Sequence, residues 1–113
     1  MAKNTLSTDD ARDQHGNPAG ILEQADDVFA DMVELRRDLH RWPEISNHLP
    51  RTRERVLESL QGLPLDITLH ETTSGIAAML TGGKPGPTVL LRADMDALPM
   101  PEDTNVDFKS QVE

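Results

Sequence analysis

The feature that most constrains this chain is an apolar run, Thr88-Val89-Leu90-Leu91, that passes directly into Arg92-Ala93-Asp94-Met95-Asp96. A nearly all-apolar strand has no solvent face, so it predicts a central strand covered on both sides. Charged groups at the carboxyl end of such a strand stand where open α/β sheets keep their ligand crevice. Asp94 and Asp96 lie two apart, and in continued strand geometry both project to one face. Two carboxylates so placed can hold a divalent cation, orient a ligand histidine, or divide acid and base roles. By spacing alone Asp-x-Asp is a common accident, and the plainer reading is a loop whose aspartates bond nearby backbone N–H groups.

The elements upstream of that run are readable from period and punctuation. Val28, Met32, Leu35, Leu39 and Trp42 recur at helical steps and predict one apolar stripe. Asp26, Asp27 and Asp31 favour the positive end of that helix, and Arg36, Arg37 and Arg41 the negative end. Pro43 cannot continue the ladder, so the helix is expected to stop at His40 or Arg41. A second helix is expected after Ser46 or Asn47, either of which could cap it, with Pro50 in its first turn. Gly62 and Pro64 end it. Leu65 to His70 alternates apolar and polar residues and predicts a half-buried strand. Ile76 to Leu80 predicts a second strand, antiparallel to the first because the connection is short.

Residues 1–23 are polar and aperiodic and are expected to form a disordered arm, leaving residues 24–113 as the folded part. Beyond Met100 the chain reads as polar loop. Gly82-Gly83-Lys84-Pro85-Gly86 resembles a phosphate-cradling loop only superficially. It lacks the Gly-Lys-Ser/Thr ending and precedes a strand, so it predicts a plain turn. None of the four histidines falls in a His-Glu-x-x-His pattern; His40, at a helix end, is expected to be a surface imidazole.

Composition excludes several classes. The 113 residues carry 20 acidic against 11 basic side chains, a formal net charge of −9. That balance argues against nucleic-acid partners and anionic membrane surfaces, both of which select basic footprints. The absence of cysteine excludes disulfides, thiolate metal ligands and thiol nucleophiles within the chain. No apolar run reaches the ~18 residues of a membrane span, and the start lacks a secretory signal's apolar stretch. The expectation is a soluble, cytoplasmic protein. With 36% hydrophobic and 3% aromatic residues the core is thin, and marginal stability is expected.

Three stretches carry a resemblance: Leu35-Arg36-Arg37-Asp38-Leu39-His40-Arg41-Trp42-Pro43-Glu44, Gly82 through Arg92-Ala93-Asp94-Met95-Asp96-Ala97-Leu98-Pro99, and Glu102-Asp103-Thr104. Together they resemble the opening of the metal-dependent amidohydrolases, which include hippurate hydrolase and the N-acyl-amino-acid amidohydrolases, a branch of the aminoacylase and carboxypeptidase-type di-metal peptidases. The resemblance runs from about Val33 to Phe108. It implies an α/β fold: the N-terminal part of a zinc-exopeptidase-like catalytic domain that opens with two helices, an antiparallel strand pair and a central strand. It implies hydrolysis of the amide bond of an N-acyl amino acid by a water shared between two divalent cations (zinc, manganese, cobalt or nickel), with a later glutamate as general base. An inserted dimerisation domain in that family allows a homodimer of the complete enzyme.

The resemblance also implies which residues matter. Asp96 takes the position of a catalytic aspartate that orients a ligand imidazole, and it is the one residue carried over in that role. Asp94 stands where the wider peptidase group has a metal-binding histidine; with Arg92 it is expected to shape the strand end. The branch takes its metal ligands from a Met-His-Ala-Cys-Gly-His-Asp segment expected after Phe108 and from later Glu and His residues. None of these occurs in this chain, so no metal is expected on it alone and the stretch is expected to be inactive by itself. Trp42 replaces a usual histidine, and His48-Leu49-Pro50 replaces a more acidic stretch. Two other classes remain open at this stage. One is a magnesium-dependent phosphatase using Asp94 as nucleophile and Asp96 as acid, for which Ala97 stands where Thr or Val is wanted. The other is a non-catalytic acidic interaction module or inactive remnant.

Overall fold

The computed structural model describes residues 20–112. The elements run α1 (Ile21–Arg41), α2 (Pro50–Ser59), β1 (Leu65–Leu69) and β2 (Ile76–Leu80). The chain divides after Glu34 into two units, and each is taken by itself. Residues 1–19 of the expected arm lie outside the described residues.

The first unit, where it is described, is the N-terminal part of α1. The helix begins at Ile21, more than a turn before Asp26-Asp27 and inside the stretch expected to be an arm. Gly20, at φ 76°, turns the chain into it. Ile21-Leu22-Glu23-Gln24-Ala25 contains no breaker and mostly good helix formers, which outweighs the polarity upstream. The acid in the first turn is therefore Glu23, and the basic last turn is His40-Arg41. Val28, Phe29 and Met32 are exposed.

The second unit is built around α2. Helix α1 stops at Arg41, as Pro43 requires, and a turn over residues 45–48 leads to Pro50 in the first turn of α2. Ser46 and Asn47 do not cap this helix. Leu49 occupies the N-cap position, where it has no side-chain acceptor to offer. The cap comes from Glu44, whose carboxylate accepts the N–H groups of Thr52 (2.6 Å) and Arg51 (3.3 Å). Ser46 lies too far upstream and adopts a left-handed φ of 69° that turns the chain instead. Helix α2 ends at Ser59, and Gly62, at φ 81°, reverses the chain toward β1.

Strands β1 and β2 pair antiparallel with Leu65 opposite Leu80, Ile67 opposite Ala78 and Leu69 opposite Ile76. These apolar pairs share one face, the unit of sheet stabilisation. The half-buried face expected of β1 is not formed: Ile67 and Leu69 remain exposed. The hairpin is fastened to the start of α2 by Ser74. Its hydroxyl accepts the Leu49 N–H at 2.6 Å, and its own N–H donates to the Asn47 carbonyl at 2.8 Å. Arg53 adds bonds to the His70 and Thr73 carbonyls at 3.3 and 3.4 Å. Leu49 (4% exposed), Thr52 and Ser74 are the buried residues among those described.

The largest departure concerns Thr88–Leu91. This run joins no sheet, and Val89, Leu90 and Leu91 are 78%, 89% and 89% exposed. The expected central strand is thus corrected to an unpaired segment. A strand apolar on both faces needs strands at its edges and elements above and below, and the described residues supply one hairpin and two helices. The observed architecture is two helices with a two-stranded antiparallel sheet, an α/β arrangement.

Two expectations follow for stability. Glu44→Ala removes the α2 cap and should cost about 1 kcal/mol in denaturant unfolding followed by circular dichroism. Partial burial works against ionisation of Glu44, but the hydrogen bonds from Thr52 and Arg51, with His48 nearby, hold its carboxyl below the ordinary 4.5. A carboxyl depressed in the folded state stabilises above its unfolded value, so this contribution should fade as the pH drops below about 4.5, and the variant should lack that fading. Leu49→Ala empties the one buried aliphatic position among the described residues and should cost about 2–3 kcal/mol, enough to abolish a cooperative thermal transition in so small a core.

Candidate functional site

The carboxylates singled out in the sequence lie on the segment after the apolar run. Arg92 and Asp94 pair with each other at 2.7 Å on the open surface, the Asp94 side chain being 67% exposed. The pair is local, two residues apart, and pins Asp94 against its own neighbour rather than toward a ligand. Asp96 is exposed as well. The next residue is anchored: the Ala97 N–H donates to the Glu44 carbonyl at 2.8 Å, and Ala97 forms a parallel bridge with Ile45. Met95 and Ala97 are half-buried while Asp94 and Asp96 alternate outward.

The crevice expected beside the two aspartates is not formed by the described residues. A crevice at strand ends needs neighbouring strands to wall it, and Thr88–Leu91 has none. One small hollow of about 10 Å³, room for a single water, lies among Asp38, Trp42, Arg51 and Arg55. A shallow one of about 410 Å³ runs along α2 past Arg53, Glu54, Leu57 and Gln61. Neither touches Asp94 or Asp96. Among the described residues no three His, Asp or Glu side chains converge as cation ligands.

The structure instead brings together residues that the sequence left apart. His40, expected to be a plain surface imidazole, places Nε2 2.8 Å from Glu102 Oε1, 62 residues away. An ionised carboxylate only accepts, so the imidazole carries a proton on Nε2. Glu102 also accepts the Ser110 N–H at 2.6 Å and the Thr104 hydroxyl. The Thr104 hydroxyl, His40 and the Ser110 N–H together draw its carboxyl down to about 2, so it stays charged well into the acid range. The Phe108 ring meets His40 edge-on at 5.4 Å between centroids, and the Arg37 guanidinium lies 4.9 Å from its centre. The Gln111 N–H caps the Arg41 carbonyl at 2.7 Å. Arg51 covers the Trp42 ring at 4.2 Å, and Arg55 pairs with Asp38 at 2.7 Å.

The end of α1 and the turn after it thus receive both the segment carrying Asp96 and the segment carrying Glu102. Sequence reasoning placed Glu102 and Thr104 in a resembling motif without a role. The signal that could have found the pairing is an acid and a histidine in two motifs of one resemblance. No helix among the described residues is long and apolar enough to cross a membrane.

No family model matches the chain, and no solved structure does. Curated proteins do. The chain is 38% identical over 91 residues to the N-acyl-L-amino acid amidohydrolase of Geobacillus stearothermophilus, covering 80% of this chain and 25% of that protein. It is 39% identical over 82 residues to the thermostable carboxypeptidase 1 of Saccharolobus solfataricus, covering 72% and 21% respectively. It is 35% identical over 91 residues to the N-acetylcysteine deacetylase of Bacillus subtilis, covering 79% and 24%. The chain spans about a quarter of the length of the curated relatives it matches. By this shared sequence the chain is a relative of amidohydrolases, deacetylases and carboxypeptidases, of each of which it spans a quarter or less.

Proposed function

We propose that this chain is the N-terminal segment of a hydrolase that cleaves the amide bond of N-acyl amino acids, and that it is inactive by itself. The observation that carries the reading is the 38% identity over 91 residues to an N-acyl-L-amino acid amidohydrolase. The deacetylase likeness, to an enzyme named for an N-acetyl amino acid, supports the same bond type. An amide resists water at neutral pH, so its hydrolysis needs an activated nucleophile and a stabilised oxyanion; two bound divalent cations supply both. Among the described residues no three such ligands converge, so on this reading other polypeptide of the complete enzyme supplies them.

The part this chain plays is then positional. Asp96 orients a ligand imidazole by accepting its remaining N–H, the arrangement that fixes tautomer and ring direction. Arg92 engages Asp94, leaving Asp96 as the exposed carboxylate beside the Ala97 anchor that is open to such a partner. We infer the architecture in the same way. Thr88–Leu91 takes a central place in a zinc-exopeptidase-like sheet once strands flank it on both edges, which accounts for its exposure here.

The isolated 113-residue chain should leave a panel of N-acyl amino acids uncleaved. The complete protein carrying this stretch, supplied with zinc, manganese, cobalt or nickel, should release free amino acid in a ninhydrin or mass-spectrometric assay. Loss of all cleavage across acetyl, benzoyl and longer acyl groups in the metal-supplied protein would overturn the reading. Asp96→Asn should lower kcat/KM by roughly 10–100-fold and weaken metal retention on dialysis, while Asp94→Asn should change either far less.

A further inference from the structure

The contacts of Glu102 go beyond what a loop needs to stay folded. Its side chain is 14% exposed, against 67% for Asp94, although both lie on the same polar C-terminal stretch. It gathers three donors from two directions: His40 on α1, and Thr104 and Ser110 on its own segment. Residues 102–111 are held to the last turn of α1 at three separate points. These are the His40–Glu102 bond, the Phe108 ring against His40 and Arg37, and the Gln111 N–H on the Arg41 carbonyl. Just upstream, the Ala97 N–H is bound to the Glu44 carbonyl. The chain from Ala97 to Glu102 is therefore slung between two fixed points, His40 and Glu44, that lie one helical turn apart in sequence. Asp96 immediately precedes Ala97, the residue bound to Glu44.

We propose that His40 and Glu102 are a positioning pair: by pinning the segment after Asp96 to the C-terminal end of α1, they set the direction of the Asp96 carboxylate. Neither residue touches the reacting atoms. Without the pair, the chain after Ala97 has no tie to α1 before Phe108, and the hold of Glu44 and Ile45 on Ala97 is the nearest one to Asp96. With it, the segment that follows Asp96 is held at both ends, which narrows the directions open to the Asp96 carboxylate. The consequence for catalysis rests on the hydrolase reading above; the mechanical link does not.

The test separates the two. In the 113-residue chain, amide hydrogen exchange is followed at Ala97 and Gln111, neither of which bonds to His40 or Glu102, with the β1 and β2 amides as an internal control of folding. His40→Leu should speed exchange at both sites about tenfold, the factor carried by one hydrogen bond to a charged group. His40→Gln, which keeps an N–H donor, should stay near the unsubstituted rate. Unchanged exchange at Ala97 and Gln111 in His40→Leu, with the hairpin still protected, would overturn the pair. If the hairpin loses protection as well, Glu102→Gln, which keeps the shape, decides by the same readout. In the complete metal-supplied protein, His40→Leu should lower kcat about tenfold with KM unchanged, and His40→Gln should restore it. An active parent enzyme whose kcat ignores His40→Leu would sink the positioning role. A parent enzyme that cleaves no N-acyl amino acid would sink the hydrolase reading and leave the pair to the exchange result.

Discussion

Glu44 is the residue on which the rest of the described fold depends. Its carboxylate satisfies two of the N–H groups that open α2, and its carbonyl receives the N–H of Ala97. One side chain and one backbone atom of a single residue thus join the turn after α1, the start of α2 and the segment bearing Asp96. The geometry is set by Pro43, which ends α1 and directs Glu44 across the N-terminus of the next helix. A carboxylate at a helix N-terminus also meets the positive end of the peptide dipoles, which favours its charged form.

Around that node the chain holds itself together mainly by polar contacts. Ser74 links hairpin to helix through two short hydrogen bonds, Arg53 reaches across to two carbonyls, and Arg55 ties α2 to Asp38. Leu49 is the one buried hydrophobic residue among those described. Such contacts choose a geometry well but contribute little net free energy each, because every one replaces bonds to water. Large apolar surface remains uncovered on Thr88–Leu91, on the sheet and along α1. A stretch that spans about a quarter of its relatives' length carries faces suited to burial without the elements that bury them.

The site shows the same division. The sequence pointed to Asp94 and Asp96 through their place after an apolar run, and to His40 and Glu102 only as members of resembling stretches. In the structure Asp94 is occupied by Arg92, Asp96 stands outward beside an anchor, and His40 and Glu102 meet. The aspartates were legible because strand alternation and the motif are local properties. The imidazole–carboxylate pair was not, because helix α2, the β1–β2 hairpin and the loops around them intervene and no periodicity reports where a loop returns.

What the sequence determined by itself is what local rules govern. Pro43 stopped α1, Pro50 opened α2, Gly62 turned the chain, and short apolar runs around Thr72-Thr73-Ser74-Gly75 made an antiparallel hairpin. The Arg92–Pro99 motif carried the family. What only the tertiary structure decided is which groups satisfy one another over distance. Glu44 rather than Ser46 caps α2, α1 begins at Ile21, and Thr88–Leu91 finds no partner strands. The reason is physical: backbone dihedral preferences act over a few residues, whereas a cap, an ion pair or a sheet edge is filled by whichever group the folded path of the chain delivers to it.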